Sequence, residues 1–418
     1  MKGNKYYILF AFLIFSLFSI AQEQTDSLKN GSLLKEGEFS FVPLPIIGAN
    51  PTVGILYGLA FSSSAMLGNP KNTRMSTSLG TINYSTNKQF LSFIKTNIYT
   101  HDDEWILLGD WRYFDSSQPT FGLGTGPESN KLVTNDSIEY QDGMFTKPID
   151  EKQMMEFHYI KLSEIFLKKI NHYFYLGIGF HLDYHYQIND HLLNLDTTNN
   201  QAIQITSHYS YSKKYNFEPD EYTLSGISLD AVYDSRDNAA NPYRGRYALI
   251  SYRINSSILG STQNSTNLWL EYRDYFSVSK RHPRNLIAFW AFADLQTSGV
   301  RPYMDLGAIG WDQFGRSGRA YTQGRFRGNN LIYNELEYRQ HLWGSKKNPE
   351  LIGAVAFINA TTASNIDSGI SLYQYMNLGY GIGLRLMIVK SSRINVTVDY
   401  AWGDYGAHGI FINANEVF

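Results

Sequence analysis

The sequence predicts an all-β protein, a transmembrane antiparallel β-barrel of about 16 strands with long extracellular loops and short periplasmic turns. Three observations support this prediction: the composition, an alternation of apolar and polar residues along the chain, and the uneven lengths of the connections between alternating segments. A soluble sandwich of two sheets would share the alternation alone. Aromatic residues at the ends of long strands favour the barrel, because they are typical of membrane interfaces.

The composition is rich in aromatic residues, at 15%, and poor in charged residues, at 18%. The mean hydropathy is nevertheless negative. A helical membrane protein needs runs of about 20 apolar residues, whereas in a barrel only every second residue faces lipid. The composition therefore favours strands as the elements that cross the membrane.

The chain contains no cysteine, which excludes disulfides, thiolate metal sites, cysteine nucleophiles and a lipoprotein anchor. The formal net charge is −2, and the chain has no block of lysine and arginine. We therefore expect no nucleic-acid partner, and no motif in the sequence indicates a cofactor or a metal.

The first residues have the form of a signal peptide. A basic start is followed by an apolar run over 6–20. The small residues Ser19 and Ala21, at the end of this run, have the spacing of a signal peptidase site. We predict a signal peptide over 1–21, a short periplasmic segment over 22–37 and the barrel over 38–418; an uncleaved membrane anchor is the alternative. This predicts the outer membrane of a Gram-negative bacterium, with its lipid and its assembly machinery as partners.

Alternation with a period of two residues recurs along the predicted mature chain. Between Asn377 and Ile388 the even-numbered residues are apolar, whereas most of the odd-numbered ones are small or polar. Strands are predicted to begin near Phe39, Ile55, Met75, Gln89, Trp105, Met154, Tyr173, Thr223, Arg246, Asn267, Asn285, Leu331, Leu351, Asn377, Ile394 and Gly409.

The connections between these strands differ in length in a regular way. The long ones cover 116–152, 187–221, 297–328 and 361–373, and each follows an odd-numbered strand. Long loops on one side and tight turns on the other are typical of outer-membrane barrels, with both termini in the periplasm.

The last strand of the chain ends on an aromatic residue. It runs from Gly409 through Phe411 towards Phe418. Outer-membrane barrels end in the same way, and this resemblance implies that Phe411 and Phe418 belong to a closing strand that the assembly machinery reads as a targeting signal.

Two stretches go beyond a generic barrel. In the first, Asp234, Arg236, Asp237 and Asn238 are followed by Pro242 and Gly245. The second is Arg325-Phe326-Arg327-Gly328. Both resemble the bacterial surface antigen family, the barrel domain of the BamA and TamA assembly factors and of two-partner secretion transporters.

The first stretch is similar to the family's turn between the eighth and ninth strands. Pro242 and Gly245 together favour a tight reversal of the chain. The Asp and Arg side chains can satisfy their own backbone and charge there. A turn with no other role is the simpler interpretation.

The second stretch is similar to the tip of the family's sixth extracellular loop, which has the order arginine, glycine, aromatic residue. The resemblance implies that this loop folds into the lumen and that Arg325 or Arg327 binds acidic residues of the barrel wall, with Arg327 favoured because it directly precedes Gly328. An unpaired guanidinium in the lumen would be costly. By alternation the candidate partners are Glu335, Glu337 and Asp399. Where the family has an aspartate on the thirteenth strand, this chain has Asn359, which we expect to weaken the contact.

The resemblance covers about Phe39 to Phe418 and implies a role in protein or lipid translocation or assembly. The family's assembly members also carry POTRA domains, and too few residues lie between Gln22 and Phe39 for one, so we expect a barrel-only form. The alternative is a passive channel or small-solute transporter, because a barrel with this number of strands has a lumen that is wide enough for water.

An enzyme is not expected. The nearest approach to a metal site is His181, Asp183 and His185 on one strand. Neighbouring members of this set would be about 7 Å apart and the two histidines about 13 Å apart, so they cannot share an ion. No motif of a hydrolase or metalloprotease is present.

Overall fold

The fold comes from a computed structural model that describes residues 35–126, 137–149, 152–196, 198, 201–239, 241–313, 315–346, 348–390 and 393–418. The predicted signal peptide, 1–21, lies outside the described residues, as does most of the predicted segment 22–37. Among the described residues, no helix is long and apolar enough to cross a membrane.

Sixteen antiparallel strands form one closed barrel in sequence order, which confirms the predicted fold class. Their bounds are β1 (Phe39–Asn50), β2 (Gly54–Ala65), β3 (Ser76–Ser85), β4 (Phe90–Tyr99), β5 (Trp105–Thr120), β6 (Gln153–Lys169), β7 (Phe174–Asp190), β8 (Tyr222–Asp234), β9 (Gly245–Asn255), β10 (Ser265–Ser277), β11 (Leu286–Gly299), β12 (Asn330–Trp343), β13 (Ile352–Ala363), β14 (Asn377–Val389), β15 (Ile394–Gly403) and β16 (His408–Ala414).

Smaller elements lie in the connections. The helix α1 (Ser207–Lys214) belongs to the connection between β7 and β8. Two short ribbons pair Ile138–Gln141 with Met144–Thr146 and Gly307–Ala308 with Arg327–Gly328. Single 3-10 turns cover His101–Asp103, Ser257–Leu259, Tyr303–Asp305 and Asp404–Gly406.

The alternation places apolar side chains outside and polar ones inside. On β14, Ile382 is 60% exposed on the outer face, whereas Arg385 is 1% exposed inside the barrel. A strand directs successive side chains to opposite faces, so in a closed sheet one face points outwards and the other points into the lumen. The core of this protein is therefore the content of the lumen.

The four longest connections follow β5, β7, β11 and β13, all odd-numbered strands, as the sequence predicts. We therefore expect an epitope inserted at Gly143, between β5 and β6, to be reached by antibody on intact cells. An epitope at His172, in the short turn between β6 and β7, should be reached only after the outer membrane is permeabilised. Surface labelling at His172 would reverse the assigned sides.

The seam between the first and last strands is narrow. Among the described residues, β1 and β16 are in register only at Ala49 with Ile412. The neighbouring pair β15 and β16 is in register from Val396 to Trp402. The strands are antiparallel and β16 ends at Ala414, so the first part of β1 extends beyond the end of β16.

The end of the chain corrects one expectation. We expected Phe418 to lie on the closing strand, but the strand ends at Ala414 and Asn415 has a φ of 72°. That left-handed residue turns the chain into the lumen, where Val417 and Phe418 are 1% and 4% exposed. Phe411 does lie on β16 and faces inward. Aromatic and charged partners inside the barrel account for the change of direction.

Candidate functional site: the lumen and the seam

The connection between β11 and β12, residues 300–329, fills much of the lumen; we call it the lumen loop. Its residues Ile309 and Phe326 are fully buried. They share one apolar cluster with Trp290 of β11 and Tyr333 of β12. Side chains of a solvated extracellular loop would not pack against the barrel wall in this way, so the loop is part of the core.

Arg319 of the lumen loop meets three carboxylates of the wall. Its Nη1 lies 2.8 Å from Asp399 Oδ2, and its Nη2 bonds to Glu335 and to Glu337. The guanidinium carbon lies 3.5 Å from the ring centroid of Phe357. The three carboxylates are those that alternation identified, but the arginine is Arg319 rather than Arg325 or Arg327.

Arg327 has a different role from the one expected. It is fully buried, and its guanidinium donates to the backbone oxygens of Tyr303, Met304 and Leu306 at 3.0, 2.7 and 3.3 Å. These acceptors belong to the same loop. Arg327 therefore holds the lumen loop together and does not attach it to the wall carboxylates.

Phe326 packs within the lumen loop, whereas Arg325 and Gly328 contact neighbouring connections. The guanidinium carbon of Arg325 lies 4.1 Å from the ring centroid of Phe121. Phe326 packs edge-on against Tyr321 at 4.8 Å between ring centroids. A Cβ at Gly328 would lie 2.3 Å from the Ser364 backbone oxygen, so only glycine fits there.

The sequence did contain a signal for Arg319. The triplet Arg319-Ala320-Tyr321 has the order arginine, small residue, aromatic residue. Ala320 has a φ of 104°, a conformation that glycine adopts without strain. Alanine in place of glycine hid the resemblance. Asn359, where the family has an aspartate, donates to the Arg319 backbone oxygen at 3.0 Å.

The ionic cluster continues to the end of the chain through Arg385. Its Nη1 lies 2.5 Å from Asp399 Oδ1, and its Nε lies 2.6 Å from Glu416 Oε2. Burial raises the pKa of Glu416, but the charges of Arg385, Arg339 and Arg284 outweigh this effect and hold the pKa well below its usual range. Glu416 is therefore ionised at neutral pH and anchors the chain end inside the barrel.

Arg339 joins the same cluster to both the chain end and a turn. It pairs with Glu337 at 2.7 Å and donates to a backbone oxygen of Phe418 at 3.0 Å. It also donates to Asn241 Oδ1, between β8 and β9, at 3.4 Å. One connected network therefore links the lumen loop, the chain end and the β8–β9 turn.

The predicted turn motif lies between β8 and β9, as the resemblance implies. Asp234 pairs with Arg236 at 2.8 Å and with Arg74, before β3, at 3.0 Å. Gly245 has a φ of 99°, and a Cβ there would lie 2.2 Å from the Ser235 backbone oxygen. The ion pair with Arg74 therefore connects this turn to the chain segment before β3.

The second half of the motif reaches another turn. Asp237 accepts from the Tyr243 backbone N–H at 2.9 Å and pairs with Arg393, between β14 and β15, at 2.9 Å. Asn238 Oδ1 accepts from the Asn241 backbone N–H at 2.8 Å, just before the buried Pro242. The motif therefore contacts two turns that lie several strands away.

The lumen loop contacts both edges of the seam. On the β16 side, Arg316 donates to the Ala414 backbone oxygen at 2.6 Å and also to the Glu416 backbone oxygen. On the β1 side, the Gln323 backbone N–H donates to Thr52 Oγ1 at 2.8 Å. A movement of the lumen loop would therefore break or change its hydrogen bonds to both edges of the seam.

The His181, Asp183 and His185 set does not assemble a site. The His181 ring bonds to Ser163 and to Ser228, each at 2.8 Å. Asp183 pairs instead with Lys161 and Arg253, at 3.1 and 2.6 Å. His185 stacks on Tyr159 with 4.4 Å between ring centroids. Each of the three side chains therefore has its own separate surroundings.

Comparison with known families and structures gives one family match. The family described as the Omp85 superfamily domain matches residues 65–406. No curated protein matches the chain.

Three solved structures match the chain to different degrees. BamA from Haemophilus ducreyi, lacking POTRA domains 1–3, is 13% identical with a TM-score of 0.56; the match covers 91% of this chain and 70% of that one. CdiB from Acinetobacter baumannii is 13% identical with a TM-score of 0.49, over 90% of this chain and 59% of that one. Pseudomonas putida OprB is 9% identical with a TM-score of 0.33, over 90% and 92%. At 13% identity, the likeness to BamA shows the fold alone.

Proposed function

The chain belongs to the Omp85 superfamily, and on that premise we propose that it is a translocation barrel that passes its substrate through the β1–β16 seam. The observation that carries this proposal is that Ala49 with Ile412 is the single register pair between the first and last strands among the described residues. A sheet with so few pairs at one position opens there at the lowest cost in hydrogen bonds.

The lumen supports a lateral route over an axial one. It contains the lumen loop, the buried chain end and the charged network centred on Arg319. Buried charges bonded to one another are costly to separate. A passive channel, the alternative function, would need this content to leave the barrel, whereas a lateral opening needs only the seam to part.

Two prolines in β1 bear on the class of substrate. The Met66 backbone N–H donates to the Glu38 backbone oxygen at 3.1 Å, so the even-numbered residues that follow direct their backbone groups towards β2. By alternation Pro43 and Pro45 direct their backbones towards the seam. Proline has no N–H, so this edge offers few donors to an added strand. We therefore favour a lipid over a polypeptide strand as the substrate.

A disulfide across the seam tests the proposal. The chain has no cysteine, so Ala49→Cys with Ile412→Cys introduces the only pair. The two positions are directly opposite each other, which suits disulfide geometry. We expect the oxidised variant to be fully folded but unable to restore the outer-membrane barrier in cells that lack their own copy, and we expect reduction to restore it. The barrier is measured by exclusion of large antibiotics.

The matched control places the same bond within the wall. Leu270 and Ala293 are opposite each other on β10 and β11, and both are half-buried like the seam pair. Leu270→Cys with Ala293→Cys should leave function unchanged when oxidised. If the oxidised seam variant also excludes antibiotics normally, transport does not use the seam.

A further inference from the structure

Three side chains that could bind a metal ion meet on the side of the barrel with short turns. His282 lies in the β10–β11 turn, His341 lies near the end of β12, and Glu350 lies just before β13. The register of β12 and β13 shifts between His341 and Trp343. Such bulges redirect a side chain, and they are common beside functional sites.

The ligand atoms of the three residues lie close together. His341 Nδ1 is 3.0 Å from Glu350 Oε2, and His282 Nδ1 is 3.4 Å from Glu350 Oε1. All three groups can place a ligand atom within 4.8 Å of the others. Bonds of about 2.0 to 2.1 Å to a tetrahedral zinc ion separate two ligands by about 3.4 Å, so the observed spacings fit one ion.

The same atoms lack hydrogen bonds. His282 Nδ1, His341 Nδ1 and Glu350 Oε2 are each buried without a hydrogen-bond partner among the residues that the structure describes. His341 and Glu350 are therefore within 3.0 Å of each other in an orientation that makes no hydrogen bond between them. Buried polar atoms are rarely left unsatisfied, and a shared cation would satisfy all three.

Backbone contacts hold the residues in place. The His341 backbone N–H donates to Asn285 Oδ1 at 2.6 Å, and the Glu350 backbone N–H donates to Asn348 Oδ1 at 3.3 Å. Arg284 donates to the Glu350 backbone oxygen at 2.5 Å rather than to its carboxylate. The imidazole rings of His282 and His341 are parallel, with 4.2 Å between their centroids.

We propose that His282, His341 and Glu350 bind a divalent transition-metal ion, with Zn²⁺ the best fit. Two imidazole nitrogens and a carboxylate are a usual zinc set, and a fourth position remains for water. Harder ions such as Mg²⁺ and Ca²⁺ prefer oxygen ligands. The ion ties the β10–β11 turn to the β12–β13 connection. This proposal is independent of the proposed transport function.

Metal titration of the purified barrel tests the site. After chelation and dialysis, the wild-type protein should bind one Zn²⁺ per chain by calorimetry. His341→Gln and Glu350→Gln should each lower the affinity by about 100-fold, because loss of a direct ligand costs at least as much as loss of its supporting contacts. Replacing Zn²⁺ with Co²⁺ in the wild-type protein should give the intense visible absorption of a tetrahedral site.

The control is His172→Gln, which removes an exposed histidine from the β6–β7 turn on the same side of the barrel. It should bind Zn²⁺ as the wild type does. A wild-type protein that binds no stoichiometric Zn²⁺, or ligand variants with unchanged affinity, would overturn the proposal. A Co²⁺ spectrum like that of the aquated ion would do the same without depending on any variant being folded.

Discussion

Arg319→Ala is expected to destabilise the barrel by about 3 to 5 kcal/mol and to raise its conductance, because removing one member of a buried ionic cluster leaves part of the negative charge of that cluster uncompensated. The change leaves Glu335, Glu337 and Asp399 without their shared guanidinium. Mutual repulsion of the carboxylates should release the lumen loop. Denaturant unfolding of the refolded protein measures the loss of stability, and planar-bilayer recordings measure the conductance.

The control is Arg246→Ala, which removes an exposed arginine paired with Asp274 at 3.1 Å. Exposed pairs contribute less than about 1 kcal/mol, so this variant should match the wild type. Limited proteolysis adds a third readout, since only Arg319→Ala should expose the lumen loop to cleavage. If Arg327→Ala opens the barrel and Arg319→Ala does not, the assignment of the arginine is wrong. A large conductance in the wild type would instead favour the passive channel.

The strands could be predicted because their signals are local. Alternation within each strand and the lengths of the connections are properties of short stretches, and each predicted start lies within two residues of the observed one. The same alternation identified Glu335, Glu337 and Asp399 as inward-facing, since the side-chain period of two admits only two faces.

The partner of those carboxylates could not be predicted in the same way. It depends on the path of a loop of about thirty residues, and alternation says nothing about a loop. Two arginines near Gly328 resembled the family's motif more closely than Arg319 did, because Ala320 replaces the expected glycine. A positive φ at an alanine becomes visible only in the structure.

The direction of the chain end has a similar explanation. The apolar residues Ile410, Ile412 and Phe418 fit the alternation of one continuous strand. The strand ends because Glu416 forms an ion pair with Arg385, and Phe418 packs against Trp290, inside the lumen. These partners are distant in sequence, so no local pattern could indicate them. The convergence of His282, His341 and Glu350 likewise depends on the pairing of β11 with its neighbours.

Phe418→Ala is expected to lower the free energy of unfolding of the purified barrel by about 3 to 5 kcal/mol, the usual loss for a buried phenylalanine. The ring lies 5.3 Å from Trp290 and 6.2 Å from Tyr275 between centroids, and the Arg339 guanidinium carbon lies 5.3 Å from its centroid. Alanine would leave a cavity beside a buried charge. Urea unfolding in detergent, followed by tryptophan fluorescence and by migration on unheated gels, measures the loss.

Phe276→Ala is the matched control, because Phe276 is 67% exposed on the lipid side of β10. It should reduce stability far less than Phe418→Ala, since little packing is lost. The sequence-based prediction for Phe418, a targeting signal, makes the opposite forecast for the purified protein. Under that prediction Phe418→Ala would insert poorly in cells, yet would refold in detergent with the stability of the wild type. Refolding without any assembly factor therefore separates a packing role in the lumen from a role in recognition by the assembly machinery.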